Sequence, residues 1–246
     1  MTWWCFGRLS SSARRRGSCG RRRECALPTP LEVERLEPRQ LLSIDSWQPR
    51  GPGGGGSLFA PSINPLDPKE IYVSSDMGEL FRSTDGGATW RDVDFRQLQG
   101  GTLSRVQFTA DSLVRYVLDA TSINGSEKSI AARSGDGGLT WQHLPDPTTS
   151  GDLLTLFVDA EHPARLIVSD YYRMWISQDS GQTWTLKFDA SSISWSGLRI
   201  GGAFFDGDSI TLGTNLGLLQ SNDGGESFTA SAIQVPAGAA ILSFAG

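Results

Sequence analysis

Short stretches of alternating apolar and polar residues, separated by turn-forming residues, run along the chain from residue 57 to residue 230. Stretches of this length and period are typical of β-strands with one buried face. They fall into four groups of four, whose members we name strands A to D in sequence order, and nothing in the groups indicates a helix. The predicted strands cover residues 57–63, 70–74, 80–83 and 88–93; 104–109, 115–119, 129–133 and 139–144; 153–159, 165–168, 173–177 and 183–188; and 198–205, 209–213, 217–220 and 226–230.

One motif, Ser-x-Asp-x-Gly-x-Thr/Ser-Trp/Phe, stands between strands C and D of every group. Its copies occupy residues 83–90, 134–141, 177–184 and 221–228, and their aspartates are 51, 43 and 44 residues apart. A repeat of roughly 40–50 residues indicates a propeller or a solenoid, and successive four-stranded units are typical of propeller blades. The sequence therefore predicts an all-β propeller with four four-stranded blades.

The motif has the chemistry of a hairpin turn. An aspartate accepts backbone N–H groups, a glycine takes a positive φ without steric strain, and the closing aromatic residue packs on a neighbouring strand. In this interpretation the conserved positions of the repeat are structural; they are Asp85, Asp136, Asp179, Asp223, Trp90, Trp141, Trp184 and Phe228. Calcium needs about six to eight oxygen ligands, and each loop offers one carboxylate, so no metal is predicted there.

The four motifs resemble the Asp-box, or bacterial neuraminidase repeat, of sialidases, sortilin-type receptors and xyloglucan-cleaving hydrolases. After the fourth blade, residues 240–244 read as the inner strand of a fifth, shortly before Gly246. An unpaired sheet edge is unfavourable. The chain is therefore a fragment of a longer propeller, or its last strand closes onto the first blade, or several chains complete the assembly; the fragment is the favoured interpretation.

The N-terminal part differs in charge from the rest. Residues 1–25 hold seven arginines and one glutamate, a net +6, so with −5 for the whole chain the remainder carries −11. An acidic body argues against a nucleic-acid partner. Residues 1–43 are predicted to be a disordered leader, with a nucleic-acid or membrane-surface arm as the alternative. All three cysteines lie in this part, in a spacing that fits no common zinc site, and no membrane span or cofactor is predicted.

Residues 36–42, Leu-Glu-Pro-Arg-Gln-Leu-Leu, resemble the Leu-Glu-Pro-Arg-x-Leu-Leu motif near the N-terminus of planctomycete surface and secreted proteins. The resemblance implies export, to the cell surface or the extracellular space, although Ile44 stands where that family usually has a small residue. Residues 44–56 form a predicted Gly/Pro linker, because the glycine run lacks the Gly-Lys-Ser/Thr ending of a phosphate loop. The propeller is then expected over residues 57–246.

Chemistry is expected at the end of the blades opposite the C–D turns, in the B–C loops and D–A connections. Residues 53–93 resemble the first blade of the xyloglucanase family of glycoside hydrolases. That family has a glycine run before strand A and an Asp-aliphatic-Gly-Gly turn after strand B, here 76–79. The resemblance makes Asp76 a candidate catalytic base, while Glu79 and Phe81 depart from the family's Gly and Tyr. The residues alone allow a turn-forming role for Asp76 as well.

Glycoside hydrolysis normally needs two carboxyl groups, and in the xyloglucanases the acid comes from a second propeller. Asp170 stands nine residues before its motif aspartate, as Asp76 does, and is therefore a weak second candidate. Tyr171, Asn215 and Trp195 are candidate ligand-binding residues in the same loops. Neither His143 nor His162 forms a recognisable triad with a Ser or Cys.

The sequence thus favours an exported propeller that acts on or binds carbohydrate, with a polysaccharide or a glycoprotein as partner. The leading hypothesis is a xyloglucanase-like glycoside hydrolase propeller. The alternative is a non-catalytic propeller that binds proteins or glycans, as sortilin-type domains do, and the residues leave the choice between enzyme and binding protein open.

Overall fold

The computed structural model describes residues 51–53, 56–123, 126–148, 152–194, 196–231 and 241. The predicted leader, most of the linker and all but one residue of the predicted fifth-blade strand lie outside these residues. Sixteen strands and no helix occur in the described part. The strands are β1 (Leu58–Ile63), β2 (Ile71–Ser75), β3 (Leu80–Ser83), β4 (Arg91–Asp92), β5 (Gln107–Phe108), β6 (Arg115–Ile123), β7 (Ser126–Ser134), β8 (Gln142–His143), β9 (Thr155–Val158), β10 (Leu166–Ser169), β11 (Arg173–Ser177), β12 (Thr185–Asp189), β13 (Ile200–Asp206), β14 (Ser209–Thr214), β15 (Gly217–Ser221) and β16 (Thr229–Ala230).

The strands form four antiparallel sheets, each built from four consecutive strands in sequence order. We call the sheets blades 1 to 4. This arrangement confirms the predicted all-β propeller with four four-stranded blades. Each outer strand begins two or three residues later than predicted, because the last residues of the motif are held in its turn by the motif aspartate.

The hairpin of blade 2 is longer than predicted. Strands β6 and β7 pair without interruption from Arg115↔Ser134 to Ile123↔Ser126, whereas the sequence pattern predicts a loop over residues 120–128. Residues 120–128 are mostly polar and therefore lack the apolar alternation that predicts a strand. The dipeptide Asn124-Gly125 is a strong signal for a two-residue hairpin turn and would have predicted the extension.

The hydrophobic core lies between blades. Three clusters of buried side chains join consecutive blades. One contains Tyr72 of blade 1 and Val117 of blade 2, and another contains Ile176 of blade 3 and Ile210 of blade 4. The third cluster joins blades 2 and 3 around Tyr116 and Trp175. Each fully buried side chain of this size contributes about 1.5–3 kcal/mol, so the blades depend on one another for stability.

Backbone hydrogen bonds define the two ends of the blades. The motif turn of each blade donates to the A–B turn of the same blade, with N–O distances of 2.9 Å in all four. These paired turns form what we call the turn end. The B–C turns and the D–A connections meet at the opposite end, which we call the groove end.

Candidate functional site

The four motif turns are self-contained hydrogen-bond networks. In blade 2, Ser134 Oγ accepts the N–H of Gly138 at 2.8 Å and donates to Asp136 Oδ1 at 2.8 Å. Asp136 also accepts the N–H of Thr140 at 2.9 Å and its hydroxyl at 2.6 Å. The other three turns repeat these contacts. The motif carboxylates are thus fully engaged within their own turns.

These contacts lower the pKa of each motif aspartate. The hydroxyl and backbone donors of Thr140 lower the pKa of Asp136 to about 2, and Thr89 and Thr183 do the same for Asp85 and Asp179. The hydroxyl of Ser227 likewise lowers the pKa of Asp223. A carboxylate that is both charged and saturated with donors at neutral pH is suited to fixing a turn.

In blades 2, 3 and 4, the glycine two positions after the motif aspartate packs closely against the preceding blade. Gly138 has φ +79°, and a Cβ there would overlap the phenol oxygen of Tyr72 in blade 1. A Cβ on Gly181 would lie 2.5 Å from Leu144, and one on Gly225 would overlap Ile176. The position just before this glycine accepts a side chain, since Ser180 occupies it with φ +62°.

The closing aromatic residues of the motifs differ in burial. Trp141 is buried in the cluster between blades 1 and 2, while Trp184 and Phe228 pack half-buried against the two following clusters. Trp184 Nε1 donates to the carbonyl of Pro145 at 2.7 Å, and Trp90 Nε1 donates to the carbonyl of Gly87 at 3.2 Å. Three of the four aromatics therefore join adjacent blades.

A groove of about 740 Å³ opens at the groove end, where the B–C turn of blade 1, the long hairpin of blade 2 and the connection to blade 3 meet. Most of the side chains around it carry hydroxyl, amide, ammonium or carboxylate groups. The lining residues are Asp76, Met77, Gly78, Gln99, Gly100, Gly101, Thr102, Leu103, Ser104, Ala120, Thr121, Lys128, Ser129 and Asp152. We call this space the first groove.

Two glycines bring the chain close to its neighbours beside the first groove. The N–H of Gly100 donates to the carbonyl of Gly78 at 2.9 Å, and a Cβ on Gly100 would overlap the backbone of Glu79. A Cβ on Gly101 would lie 2.6 Å from the Cβ of Ala120. At Gly100 and Gly101 the connection between blades 1 and 2 therefore contributes peptide backbone without side chains to the lining of the first groove.

Asp76 lines the first groove and is also tied to the start of blade 1. Its Oδ1 accepts the N–H of Ser57 at 2.8 Å, and its own N–H donates to the carbonyl of Ser57 at 3.2 Å. The residue is exposed, and Gly56 packs directly against its carboxylate. Asp152, which the sequence did not single out, supplies the second carboxylate of the groove. Its backbone forms an isolated parallel β-bridge with Ser129 of β7, which holds it there.

Asp170 takes a different role from Asp76 despite its equivalent sequence position. Its Oδ1 accepts the N–H groups of Tyr172 and Arg173, at 2.8 and 2.6 Å. Asp170 therefore caps its own B–C turn, and it does not line the first groove. The sequence predicts Asp170 as a weak second carboxylate beside Asp76. In the structure, Asp152 is the carboxylate that lines the first groove with Asp76.

The other predicted ligand-binding residues lie around blades 3 and 4. Tyr171 is 40% exposed and packs edge-on against Tyr172, with ring centroids 4.7 Å apart. The guanidinium of Arg199 lies 5.8 Å from the Tyr171 ring. Asn215 Oδ1 accepts the N–H of Arg199 at 2.8 Å, and Trp195 lies outside the described residues. Tyr171 and Asn215 do not line the first groove.

An ion pair lies behind the first groove. Asp119 is buried and uses Oδ1 to accept the N–H of Gln99 at 2.6 Å, while its Oδ2 contacts Nε2 of His143. The hydrogen bond from Asp119 raises the pKa of His143, against the opposing effect of burial. Because Gln99 lines the groove, this pair fixes the backbone of its wall. The sequence interpretation found no partner for His143, since the two residues are 24 positions apart.

A buried charged cluster joins blades 1 and 2 near the turn end. Glu70 contacts Arg115 and accepts from Arg82 at 2.6 Å and from Asn64 at 2.6 Å. Burial alone would raise the pKa of Glu70, but the bonds from Asn64 and Arg115 outweigh it and the pKa is lowered. The arginines also face Tyr72 and Phe108 rings. No local sequence pattern signals this cluster, whose members come from two blades.

Within the described ranges, no group of three or more His, Cys, Asp or Glu side chains is arranged to hold a metal ion. The same residues include no helix long and apolar enough to cross a membrane.

No family model and no curated protein matches this sequence. Among solved structures, the GH74 xyloglucanase from Xanthomonas campestris is similar, with a TM-score of 0.57 and 21% identity over 77% of this chain and 32% of that one. An ancestral GH74 enzyme gives a TM-score of 0.56 and 20% identity, over 76% of this chain and 25% of that one.

YCF48 from Cyanidioschyzon merolae aligns with 17% identity over 73% of this chain and 57% of that one, at a TM-score of 0.49.

The chain spans about a third or less of the length of the two GH74 enzymes. At these identities the likeness concerns the fold, which is that of a β-propeller.

Proposed function

We propose that the chain is an exported Asp-box propeller that binds a neutral polysaccharide in the first groove. The observation that carries the proposal is the lining of this groove, which offers hydroxyl, amide and carboxylate groups beside a stretch of bare peptide backbone. A ligand rich in hydroxyl groups matches such a lining, because each hydroxyl both donates and accepts. Export rests on the sequence of residues 36–42.

Charge favours a neutral ligand. The lining of the first groove carries two carboxylates, Asp76 and Asp152, and one ammonium group, that of Lys128. The chain after residue 25 is also strongly acidic. A polyanionic chain would be repelled by this field. Since two of the similar structures are GH74 enzymes, one of them a xyloglucanase, xyloglucan and plain β-glucans are the first ligands to examine.

A groove-filling substitution tests the proposal. Thr121 lines the first groove, and Thr121→Trp would occupy its space. Calorimetric titration with xyloglucan is expected to show binding by the wild type and an affinity at least about tenfold weaker for the variant. Asn222→Trp adds the same side chain at an exposed position of the turn end and serves as the control. Absence of binding to every neutral glucan, or equal binding by wild type and Thr121→Trp, contradicts the proposal.

Hydrolysis is a second candidate function, favoured by the two carboxylates in one groove. In this scheme Asp76 acts as the base that takes a proton from water attacking the sugar, and Asp152 gives a proton to the departing oxygen. Reducing ends released from xyloglucan by wild type, Asp76→Asn and Asp152→Asn measure it. Hydrolysis by the wild type that falls about a hundredfold or more in either variant supports catalysis.

Equal rates for Asp76→Asn and the wild type contradict a catalytic role for Asp76. Binding without any hydrolysis supports the alternative, a non-catalytic propeller of the sortilin type. A glycoprotein is then the partner to examine, and further blades supplied by another chain are compatible with either function.

A further inference from the structure

A second groove of about 540 Å³ adjoins the first. It is lined by Met77, Gly78, Glu79, Asp92, Val93, Asp94, Phe95 and Gln99. Met77, Gly78 and Gln99 also line the first groove, so the two spaces adjoin at the B–C turn of blade 1. The second groove leads outward to the segment that follows the outer strand β4.

Exposed apolar side chains form part of the lining of the second groove. Phe95 is 68% exposed and Met77 is 67% exposed, and Val93 lies between the outer strand and Phe95. Exposed large apolar side chains gathered at a concave surface mark a binding site more often than scattered ones do. A ligand here meets an aromatic ring and a thioether, with the carboxylates of Asp92 and Asp94 beside them.

The loop that carries Phe95 is held in one conformation. Asp94 accepts the N–H groups of Gln97 and Leu98 through its carbonyl, at 2.8 and 3.2 Å, and Leu98 is buried in the core between blades 1 and 2. The side chain of Asp94 holds Arg96 by a 3.0 Å ion pair, and the Arg96 guanidinium lies 5.9 Å from the Phe95 ring. The backbone that carries Phe95 is therefore tied to the core, so little backbone entropy is lost when a ligand binds at this ring.

We infer that Phe95 and Met77 form an outer subsite for one ring of a linear glycan whose neighbouring units lie in the first groove. The inference rests on the proposed function, which it extends from a short ligand to a chain that crosses both grooves. A sugar ring has an apolar face for the aromatic ring and hydroxyl groups at its rim for Asp92 and Asp94. The position of the second groove directly beside the polar first groove favours this occupant.

Chain length separates the two grooves experimentally. The full chain is titrated with cellobiose and cellohexaose, two β-glucan fragments that differ only in length. Wild type is expected to bind the hexasaccharide more tightly than the disaccharide. Phe95→Ala is expected to weaken hexasaccharide binding by about threefold to tenfold and to leave disaccharide binding unchanged. Phe95→Tyr, which keeps the aromatic face, should restore the hexasaccharide affinity.

Leu139→Ala is the matched control, because Leu139 is 71% exposed and lies in a motif turn at the turn end. Equal hexasaccharide affinity for wild type and Phe95→Ala overturns the outer subsite while the proposal for the first groove stands. Binding of neither sugar to the wild type overturns both. A melting temperature unchanged by Phe95→Ala shows that any loss of affinity is local, as expected for an exposed side chain.

Discussion

Asp76 and Asn215 make the same contact in blades 1 and 4. Each uses Oδ1 to accept a backbone N–H group ahead of the inner strand of its blade, from Ser57 and from Arg199, at 2.8 Å in both cases. Each also donates its own N–H to the carbonyl of the same residue. A neutral amide therefore meets the structural requirement of this position. The negative charge of Asp76 is not needed for this contact, and its carboxylate lines the first groove.

Asp76→Asn is expected to fold as well as the wild type. The amide oxygen keeps the hydrogen bond to Ser57, so the free energy of unfolding should change by less than about 0.5 kcal/mol, as for most exposed substitutions. Urea denaturation measures it. Asn215→Asp is the reciprocal control and should be similarly neutral. A loss of several kcal/mol in Asp76→Asn would show that the charge itself supports the fold.

Gly138→Ala is expected to destabilise the interface between blades 1 and 2. Alanine at this positive φ costs about 1–2 kcal/mol, and its Cβ would also overlap the phenol oxygen of Tyr72. A total of about 3 kcal/mol or more follows. Gly86→Ala is the matched control, since Gly86 has φ +73° but nothing within 4 Å of the added Cβ. Equal losses for the two variants in urea would refute the packing role of Gly138.

Acid should weaken the motif turns. The pKa of Asp136 is lowered from 3.8 to about 2, so its stabilising effect is present above pH 3.8 and is lost as the pH falls through about 2. Melting temperatures of wild type and Asp136→Asn should differ most above pH 3.8 and converge towards pH 2. A difference that stays constant over this range would mean that the carboxylate charge contributes nothing to the turn.

His143 should titrate above its ordinary range. Its pKa is raised from 6.5 by the hydrogen bond with Asp119, so the pair stabilises the fold fully below pH 6.5 and loses that effect as the pH rises through the folded-state pKa. The ring protons of His143 report this value in NMR spectra. Asp119→Asn should move the pKa back towards 6.5. An unchanged His143 pKa in that variant would contradict the pair.

Glu70→Gln should be among the most damaging single substitutions. Glu70 is 4% exposed and holds Arg82 and Arg115, and removing its charge leaves two guanidinium groups near each other without a counter-ion. A loss of about 3–5 kcal/mol in the free energy of unfolding is expected. Arg96→Gln removes one member of an exposed ion pair and should change stability by less than about 1 kcal/mol. Similar losses for the two variants would contradict the importance of the buried cluster.

The blades were predictable from the sequence because the interactions that define them are local. Within each motif turn, the hydrogen bonds of the Ser, Asp and Thr or Ser side chains join residues no more than four positions apart, as Ser134, Asp136 and Thr140 show. The candidate site was only partly predictable. The position of Asp76 in the B–C loop after strand B predicts that it lies at the groove end, but its bond to Ser57 spans 19 positions. Glu70 and Arg115 are 45 positions apart and belong to different blades.

Asp152 shares the first groove with Asp76 but was not singled out by the sequence. It reaches the first groove because its backbone forms a bridge with Ser129, 23 positions away along the chain, and no local sequence pattern signals that bridge. Asp170 was chosen by repeat symmetry instead, yet its carboxylate caps its own turn. Repeat symmetry locates structural positions well, whereas a groove forms where one blade departs from the pattern of the others.

The central claim is that the first groove binds a neutral glycan, and amide chemical-shift mapping during titration with a xyloglucan oligosaccharide tests it most directly. The account predicts shifts at Gly100, Gly101 and Ser129, which line the groove, and none at the motif turns of the opposite end. A spectrum that does not change, or changes confined to the motif turns, would contradict the claim.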